Sequence, residues 1–273
     1  MAARAGIRRQ QKRWNVMLDL GLEGRIALIT GGSDGLGRAT AARLAREGAR
    51  VAICARRERH LEDTAAALRD ETGGEVLPVV ADVSRADGCR RFVDEAVRAL
   101  GGVDILINNA GTSAARGLEE IDDAAWQADI DLKLMAAVRL CRAVIPIMRE
   151  RGGGAIVNAT IVGAKAPAAR SLPTTVTRAA GINLTKSLAN EYARDRIRVN
   201  TICIGLIKSA QWERRAGDRP LDAFYAEIAA RVPLGRVGEA EEYADLAAFL
   251  VSERAAFITG TAINLDGGMG ATV

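Results

Sequence analysis

The stretch Thr30–Gly37, Thr-Gly-Gly-Ser-Asp-Gly-Leu-Gly, has the residue types and spacing of a loop that holds a diphosphate. Gly31, Gly35 and Gly37 carry no Cβ, so the chain can turn sharply and let phosphate oxygens approach backbone N–H groups at the positive end of a following helix. Downstream, Arg56 and Arg57 follow the apolar run Val51–Cys54, and Ala55 stands where dinucleotide folds place an acid for the adenosine ribose hydroxyls. A guanidinium at Arg56 can grip a 2′-phosphate that a carboxylate would repel, which points to NADP rather than NAD. Asp34, inside the loop, runs against that preference, and a competing reading makes Arg56 and Arg57 solvated charges at a helix start.

A diphosphate loop works only as a strand-to-helix turn, and its flanks have that form. Ile26–Ile29 reads as a strand buried on both faces; Leu36, Ala39, Leu44 and Ala45 make a helix stripe after it. Further strands are predicted at Val51–Cys54, Val76–Val80 and Val103–Gly111, with helices near Leu61–Leu68 and Arg85–Leu100, the latter capped by Ser84. Four strands alternating with helices imply a parallel sheet with right-handed crossovers. Its ligands bind outside the carboxyl ends of the strands, where Asp82, Asn108 and Asn109 fall.

The chain of 273 residues is 49% hydrophobic, enough for one large core, so a single α/β domain over residues 17–273 is expected. No apolar run is as long as a membrane span, which predicts a soluble, cytoplasmic protein. The net charge of +4 does not indicate nucleic acid: Arg4, Arg8, Arg9, Lys12 and Arg13 concentrate it in residues 1–16, leaving the rest near neutral. That basic tail is expected to be disordered, or to lie upstream of a start at Met17. Cys54, Cys89, Cys141 and Cys203 lack the spacing of a disulfide frame or a zinc site and read as packed thiols. His60, the single histidine, is expected to be solvated on a helix start.

Several motifs in order, Thr30-Gly-x-x-x-Gly-x-Gly37, Asp82-Val83, Asn108-Asn-Ala-Gly111, Ile197-Arg-Val-Asn200 and Ile258-Thr-Gly-Thr…Asp266-Gly-Gly268, resemble the short-chain dehydrogenase/reductase family, above all its 3-oxoacyl-carrier-protein-reductase-like members. The resemblance runs from about residue 20 to residue 270. It implies a single Rossmann-type doubly wound sheet of seven parallel strands with helices on both faces, a nicotinamide cofactor, a small-molecule substrate, and a homodimer or homotetramer. It also implies that Gly31, Ser33, Gly35, Leu36 and Gly37 hold the diphosphate, that Asp82 and Val83 meet the adenine, and that Asn109 lies beside the ribose. Ile207 and Ser209, in Ile204-Gly-Leu-Ile-Lys-Ser209, match the turn that holds the nicotinamide amide, with Ile204 in place of proline.

At the positions where the family carries its catalytic Asn, Ser, Tyr and Lys, this chain carries Lys133, Thr160, Thr174 and Arg178. Thr160 keeps a hydroxyl to hold a substrate oxygen. Arg178 keeps a charge for the nicotinamide ribose, four residues from Thr174 on the same helix face. Thr174 for tyrosine removes the usual proton donor, because an aliphatic alcohol is a far weaker acid than a phenol. Tyr192 lies five turns away and reads as packing; Tyr225 falls in a lid predicted over Gln211–Arg231. Lys133 is therefore the candidate acid, its pKa lowered by burial and by Arg178, or an amine able to attack a carbonyl. The alternative is a lysine that reaches water or neutralises Asp129 or Asp131. On this reading Lys133→Ala is expected to abolish turnover and Thr174→Ala to change it little. The function implied is an NADP-linked oxidoreductase of a carbonyl or secondary alcohol; a nucleotide-binding protein without turnover, or a lyase using Lys133, remains open.

Overall fold

The structure is a computed structural model that describes residues 19–273; the expectations for the basic tail concern residues outside that range. Strand β1 (Ile26–Thr30) leads through the glycine loop into α1 (Gly35–Arg46), followed by β2 (Arg50–Ala55), α2 (Glu58–Thr72), β3 (Val76–Val80), α3 (Ala86–Leu100) and β4 (Ile105–Asn108). The second half runs α4 (Asp123–Ile130), α5 (Ala136–Glu150), β5 (Gly154–Ile161), α6 (Thr174–Tyr192), β6 (Ile197–Ile204), α7 (Ala210–Ala216), α8 (Leu221–Ala229), α9 (Ala240–Val251) and β7 (Ala262–Leu265). The strands pair in parallel throughout, in the order β3-β2-β1-β4-β5-β6-β7.

All five residues of β1 are buried because the sheet is covered on both faces. Side chains alternate across a strand, and the two faces feed separate cores. Ala27 and Ile29 pack with Leu44 of α1, Leu61 of α2 and Ala247 of α9. Ile26 and Leu28 pack with Phe92 of α3, Leu140 of α5 and Ala189 of α6. A third, smaller cluster joins Leu206, Ala216, Phe224 and Ile228, so α7 and α8 form a cap built on the segment that follows β6. Strand order reverses between β1 and β4, which opens a crevice at their carboxyl ends.

Two local features bear on the site. Between α4 and α5, residues Asp131–Met135 form a π turn. Such a turn inserts an extra residue and re-aims side chains, and Lys133 sits at its centre. Ser84 does not cap α3. Arg85 holds the cap position, and Ser84 Oγ donates to Asp82 Oδ1 at 2.7 Å instead. The four cysteines are buried and free. Among the described residues, no helix is long and apolar enough to cross a membrane.

Candidate active site

At the crevice, the glycine loop has the shape of a phosphate cradle. Gly31 adopts φ +65°, and a Cβ on Gly37 would lie 2.1 Å from the Gly31 carbonyl oxygen, so neither position accepts a side chain without the loop moving. Helix α1 starts here with no acid in its first turn and no side-chain cap, which leaves its N–H groups open to an anion. Asn109 ties the loop to β4: its Nδ2 donates to the Thr30 carbonyl at 3.0 Å, while Thr30 Oγ1 accepts the N–H groups of Asn109 and Ala110, both at 2.9 Å. These residues fit a dinucleotide diphosphate.

The other cofactor residues expected from sequence are spread around this cradle. Ser33 is buried, and its carbonyl accepts from Thr64. Leu36 packs on the core beneath the loop. Asp82 Oδ1 accepts from the N–H and hydroxyl of Ser84, which fixes the carboxylate at the end of β3. Val83 is turned into the core with Phe92. Ile207 is buried, and Ser209 comes within 3.7 Å of where a Gly35 Cβ would be, so the segment after β6 closes over the loop. Arg56 is exposed and forms no ion pair among the described residues. His60 is not simply solvated: its Nε2 lies 2.8 Å from Asp34 Oδ1, and Arg57 Nη2 lies 2.7 Å from Asp34 Oδ2.

Deeper in the crevice, two elements, the π turn and α6, bring Lys133, Thr174 and Arg178 together. The Lys133 side chain is fully shielded from solvent. Its Nζ donates to Asp129 on α4 and, at 2.9 Å, to Thr174 Oγ1 on α6. Asp129 in turn accepts from Thr177 Oγ1 at 2.6 Å. Burial pulls the Lys133 pKa down; the bond and charge of Asp129 push it back up, Arg178 adds to the lowering, and the result is about 8. The reading of Lys133 as a charge reaching water is thus corrected, because the amine is sealed inside. Its pairing with Asp129 is present together with the bond to Thr174.

A hydroxyl has two acceptor sites and one proton. Thr174 Oγ1 accepts from Lys133 and from the Ala114 N–H at 3.0 Å, which fills both acceptor sites. Its own proton has no acceptor among the described residues. Arg178 Nη1 donates to the Ala159 carbonyl at 2.6 Å and Nη2 packs against Gly111, while its shielded Nε has no partner among the described residues. Burial lowers the Arg178 pKa, against the opposing charge of Asp129. Guanidinium groups stay protonated in proteins, so the residue remains a cation.

Thr160 is placed differently from expectation. Its Oγ1 lies 3.2 Å from Cys203 Sγ and 3.4 Å from the Ile202 carbonyl on β6, and its methyl faces α6 at Gly181. The hydroxyl is therefore engaged with the neighbouring strand. Ile161, the last residue of β5, offers no donor in its place. Tyr192 packs at the far end of α6 beneath Arg149, as expected of a packing residue. Tyr225 belongs to the cap, where its ring packs on Phe224 and lies near Lys208. Asp129 and Thr177 were not expected from sequence as members of the site. The only sequence signal was the i,i+4 spacing of Asp129 and Lys133, which occurs on many solvated helix faces.

Residues 31–270 match the family model described as enoyl-(acyl carrier protein) reductase. The chain is 37% identical over 248 residues to dehydrogenase/reductase SDR family member 4 of Bos taurus, covering 90% of this chain and 88% of that one. Among solved structures it is similar to L-sorbose reductase from Gluconobacter frateurii complexed with NADPH and L-sorbose. The TM-score is 0.90 at 38% identity, covering 94% of this chain and all of the other. It is also similar to a short chain oxidoreductase from Pseudomonas aeruginosa PAO1 described as containing an atypical catalytic center. The apo form aligns with a TM-score of 0.87 at 36% identity, over 93% of this chain and all of that one. The NADPH-bound form of the same oxidoreductase aligns with a TM-score of 0.85, over 91% of this chain and 98% of that one.

Proposed function

We propose that Lys133 and Thr174 together form the proton donor of this chain, which belongs to the short-chain dehydrogenase/reductase family and is an NADP-linked oxidoreductase acting on a carbonyl or secondary alcohol. One observation carries the reading: the buried Lys133 amine donates to a Thr174 hydroxyl whose own proton is uncommitted. NADPH, when bound, supplies a hydride to the carbonyl carbon. As the carbonyl oxygen gains charge, Thr174 gives it the free proton and takes one from the Lys133 ammonium. Lys133 is left neutral beside Asp129, and the alcohol leaves. The weak acidity of an isolated threonine is no obstacle here, because the hydroxyl passes a proton on without standing as an alkoxide.

Arg178 is the cation for the nicotinamide ribose, with its unpartnered Nε available to it, and Arg56 serves the 2′-phosphate. Thr160 supports this arrangement by packing between β5 and β6 and has no assigned contact with substrate. The reading expected from sequence, in which Thr174 is dispensable, changes accordingly: Lys133 is sealed, and Thr174 is its outlet. The enzyme is further taken to be cytoplasmic and to assemble as a homodimer or homotetramer, which light scattering of the purified chain checks.

The test is loss of reduced-nicotinamide absorbance with NADPH and a panel of ketones and aldehydes, for the wild type, Lys133→Met and Thr174→Ala, alongside NADPH binding by fluorescence. Turnover in the wild type that both variants lose, with NADPH affinity retained, is the expected result. Turnover surviving in Lys133→Met would reject the amine as the proton source. NADPH binding with no turnover across the panel would favour a nucleotide-binding role.

A further inference from the structure

Asp129, buried on α4, divides its two oxygens between two elements. Oδ1 accepts from Lys133 Nζ in the π turn, and Oδ2 accepts from Thr177 Oγ1 on α6 at 2.6 Å. No other donor reaches the carboxylate among the described residues. Thr174, Thr177 and Arg178 share one face of α6, being three and four residues apart. A threonine inside a helix often returns its proton to a carbonyl three or four residues back. Here those carbonyls lie farther off, 3.1 Å away at Thr174 and 3.4 Å away at Pro173. A hydroxyl has one proton, and the short bond to a charged acceptor is the strongest of the three, so the proton goes to Asp129. Lys133 lines a small cavity with Asn108 of β4, Asn158 and Thr160 of β5, and Thr177 and Arg178 of α6, among which Arg178 is the one added charge. On α5, burial pushes the Cys141 thiol up to about 12, so it stays neutral, and Arg139 is engaged at 2.9 Å with Asp131.

We propose that Thr177 is a positioning residue for the proton donor: by donating to the Asp129 oxygen that Lys133 does not hold, it keeps the proton shared by that pair on the amine, from which Thr174 draws it. The assignment rests on the reading of Lys133 and Thr174 as the donor. A carboxylate and an amine buried together titrate as one unit. Their single proton can sit on the nitrogen, giving an ion pair, or on the oxygen, giving two neutral groups. A dry site favours the neutral arrangement, because charges are costly to remove from water. A hydroxyl donated to the carboxylate favours the ion pair instead. Thr177 makes that bond from α6, the same helix that carries Thr174, so one rigid element sets both where the proton rests and where it leaves. Once Lys133 has passed its proton to Thr174, Asp129 still has the Thr177 hydroxyl as a partner. The hydroxyl of Thr177 is committed to Asp129, so its action on the substrate is indirect.

The experiment measures kcat for NADPH-dependent ketone reduction against pH in the full chain, for the wild type, Thr177→Val, Thr177→Ser and Lys133→Met, with NADPH affinity by fluorescence as the control for folding. Valine keeps the shape of threonine and removes the hydroxyl. Losing a hydrogen bond to a charged group moves the shared proton toward the carboxylate by about tenfold or more, so Thr177→Val is expected to lower kcat by about threefold to tenfold even on the low-pH plateau. The descending limb, at about 8 in the wild type, is expected to move to higher pH, because without Thr177 the pair releases its last proton less readily. NADPH affinity is unchanged. Thr177→Ser keeps the hydroxyl and restores both the plateau and the limb. A merely structural role would lower kcat without moving the limb. With Lys133→Met inactive, a wild-type profile in Thr177→Val, a limb that stays or moves to lower pH, or a serine variant that fails to recover overturns the assignment of Thr177 alone. Turnover surviving in Lys133→Met overturns the reading beneath it as well.

Discussion

Replacing Asp129 by asparagine keeps the size of a buried side chain and removes one negative charge from beside Lys133. In the structure that charge is the main force holding the amine protonated: burial and Arg178 both lower its pKa, and Asp129 opposes them through a hydrogen bond and its field, for a balance of about 8. Hydrogen bonds to charged groups contribute about 1.5–3 kcal/mol, and one pKa unit corresponds to about 1.4 kcal/mol. Loss of the carboxylate is therefore expected to lower the Lys133 pKa by about one to two units, to about 6–7. Carbonyl reduction needs the protonated amine, so its rate is present at low pH and lost as pH rises through that value. At pH 8 the protonated fraction falls from about one half to between about one hundredth and one tenth. The assay is kcat for NADPH-dependent ketone reduction across the neutral and mildly alkaline range, with NADPH affinity as the control for folding. A descending limb moved to lower pH in Asp129→Asn fits the reasoning. An unmoved limb, or one moved to higher pH, refutes Lys133 as the proton source.

Other outcomes follow from the same geometry. Alcohol oxidation, the reverse reaction, needs the neutral amine, so in the wild type its rate rises with pH through about 8 where reduction falls, as paired pH profiles of the two directions will show. Thr174→Ala should lower kcat by about a hundredfold or more while NADPH affinity is kept, with Thr174→Ser restoring most of the rate. Gly37→Ala puts a methyl carbon 2.1 Å from the Gly31 carbonyl oxygen; it should cost about 1–3 kcal/mol in denaturant unfolding and abolish measurable NADPH binding. Asp104 directly precedes β4 at the amino end of the sheet, accepting from the Ile26 N–H at 2.9 Å and from Arg151 at 2.9 and 3.0 Å. Burial alone would raise its pKa, but the hydrogen bonds from Arg151 and Ile26, with the charges of Arg25 and Arg151, outweigh it and hold the carboxyl below its usual range. Its stabilisation is therefore full at neutral pH and lost in acid as the folded-state pKa is passed; Asp104→Asn should destabilise the wild-type fold at pH 7 and narrow that acid dependence, both measurable by thermal unfolding.

The sequence by itself determined the sheet, because strand and helix periods are local signals. Buried parallel strands show as continuous apolar runs such as Ile26–Ile29 and Val51–Cys54, and the glycines of the loop mark a strand-to-helix turn through the absence of a side chain. It also marked Lys133, Thr174 and Arg178, since each stands at a fixed distance from a motif. What it could not give was direction. Thr160 carries a hydroxyl at the end of a strand, yet which of its two branches faces the crevice depends on β6 lying beside it, and the oxygen goes to Cys203. Asp129 and Lys133 are an ordinary helix pair until the π turn and the packing of α6 close over them and leave the pair dry. Asp34 reads as an unpartnered loop acid in the sequence and gains its partners only when α2 brings Arg57 and His60 across from beyond the next strand. In each case the chemistry of a polar group is set by partners distant in the chain, through burial and pairing that only the tertiary structure creates.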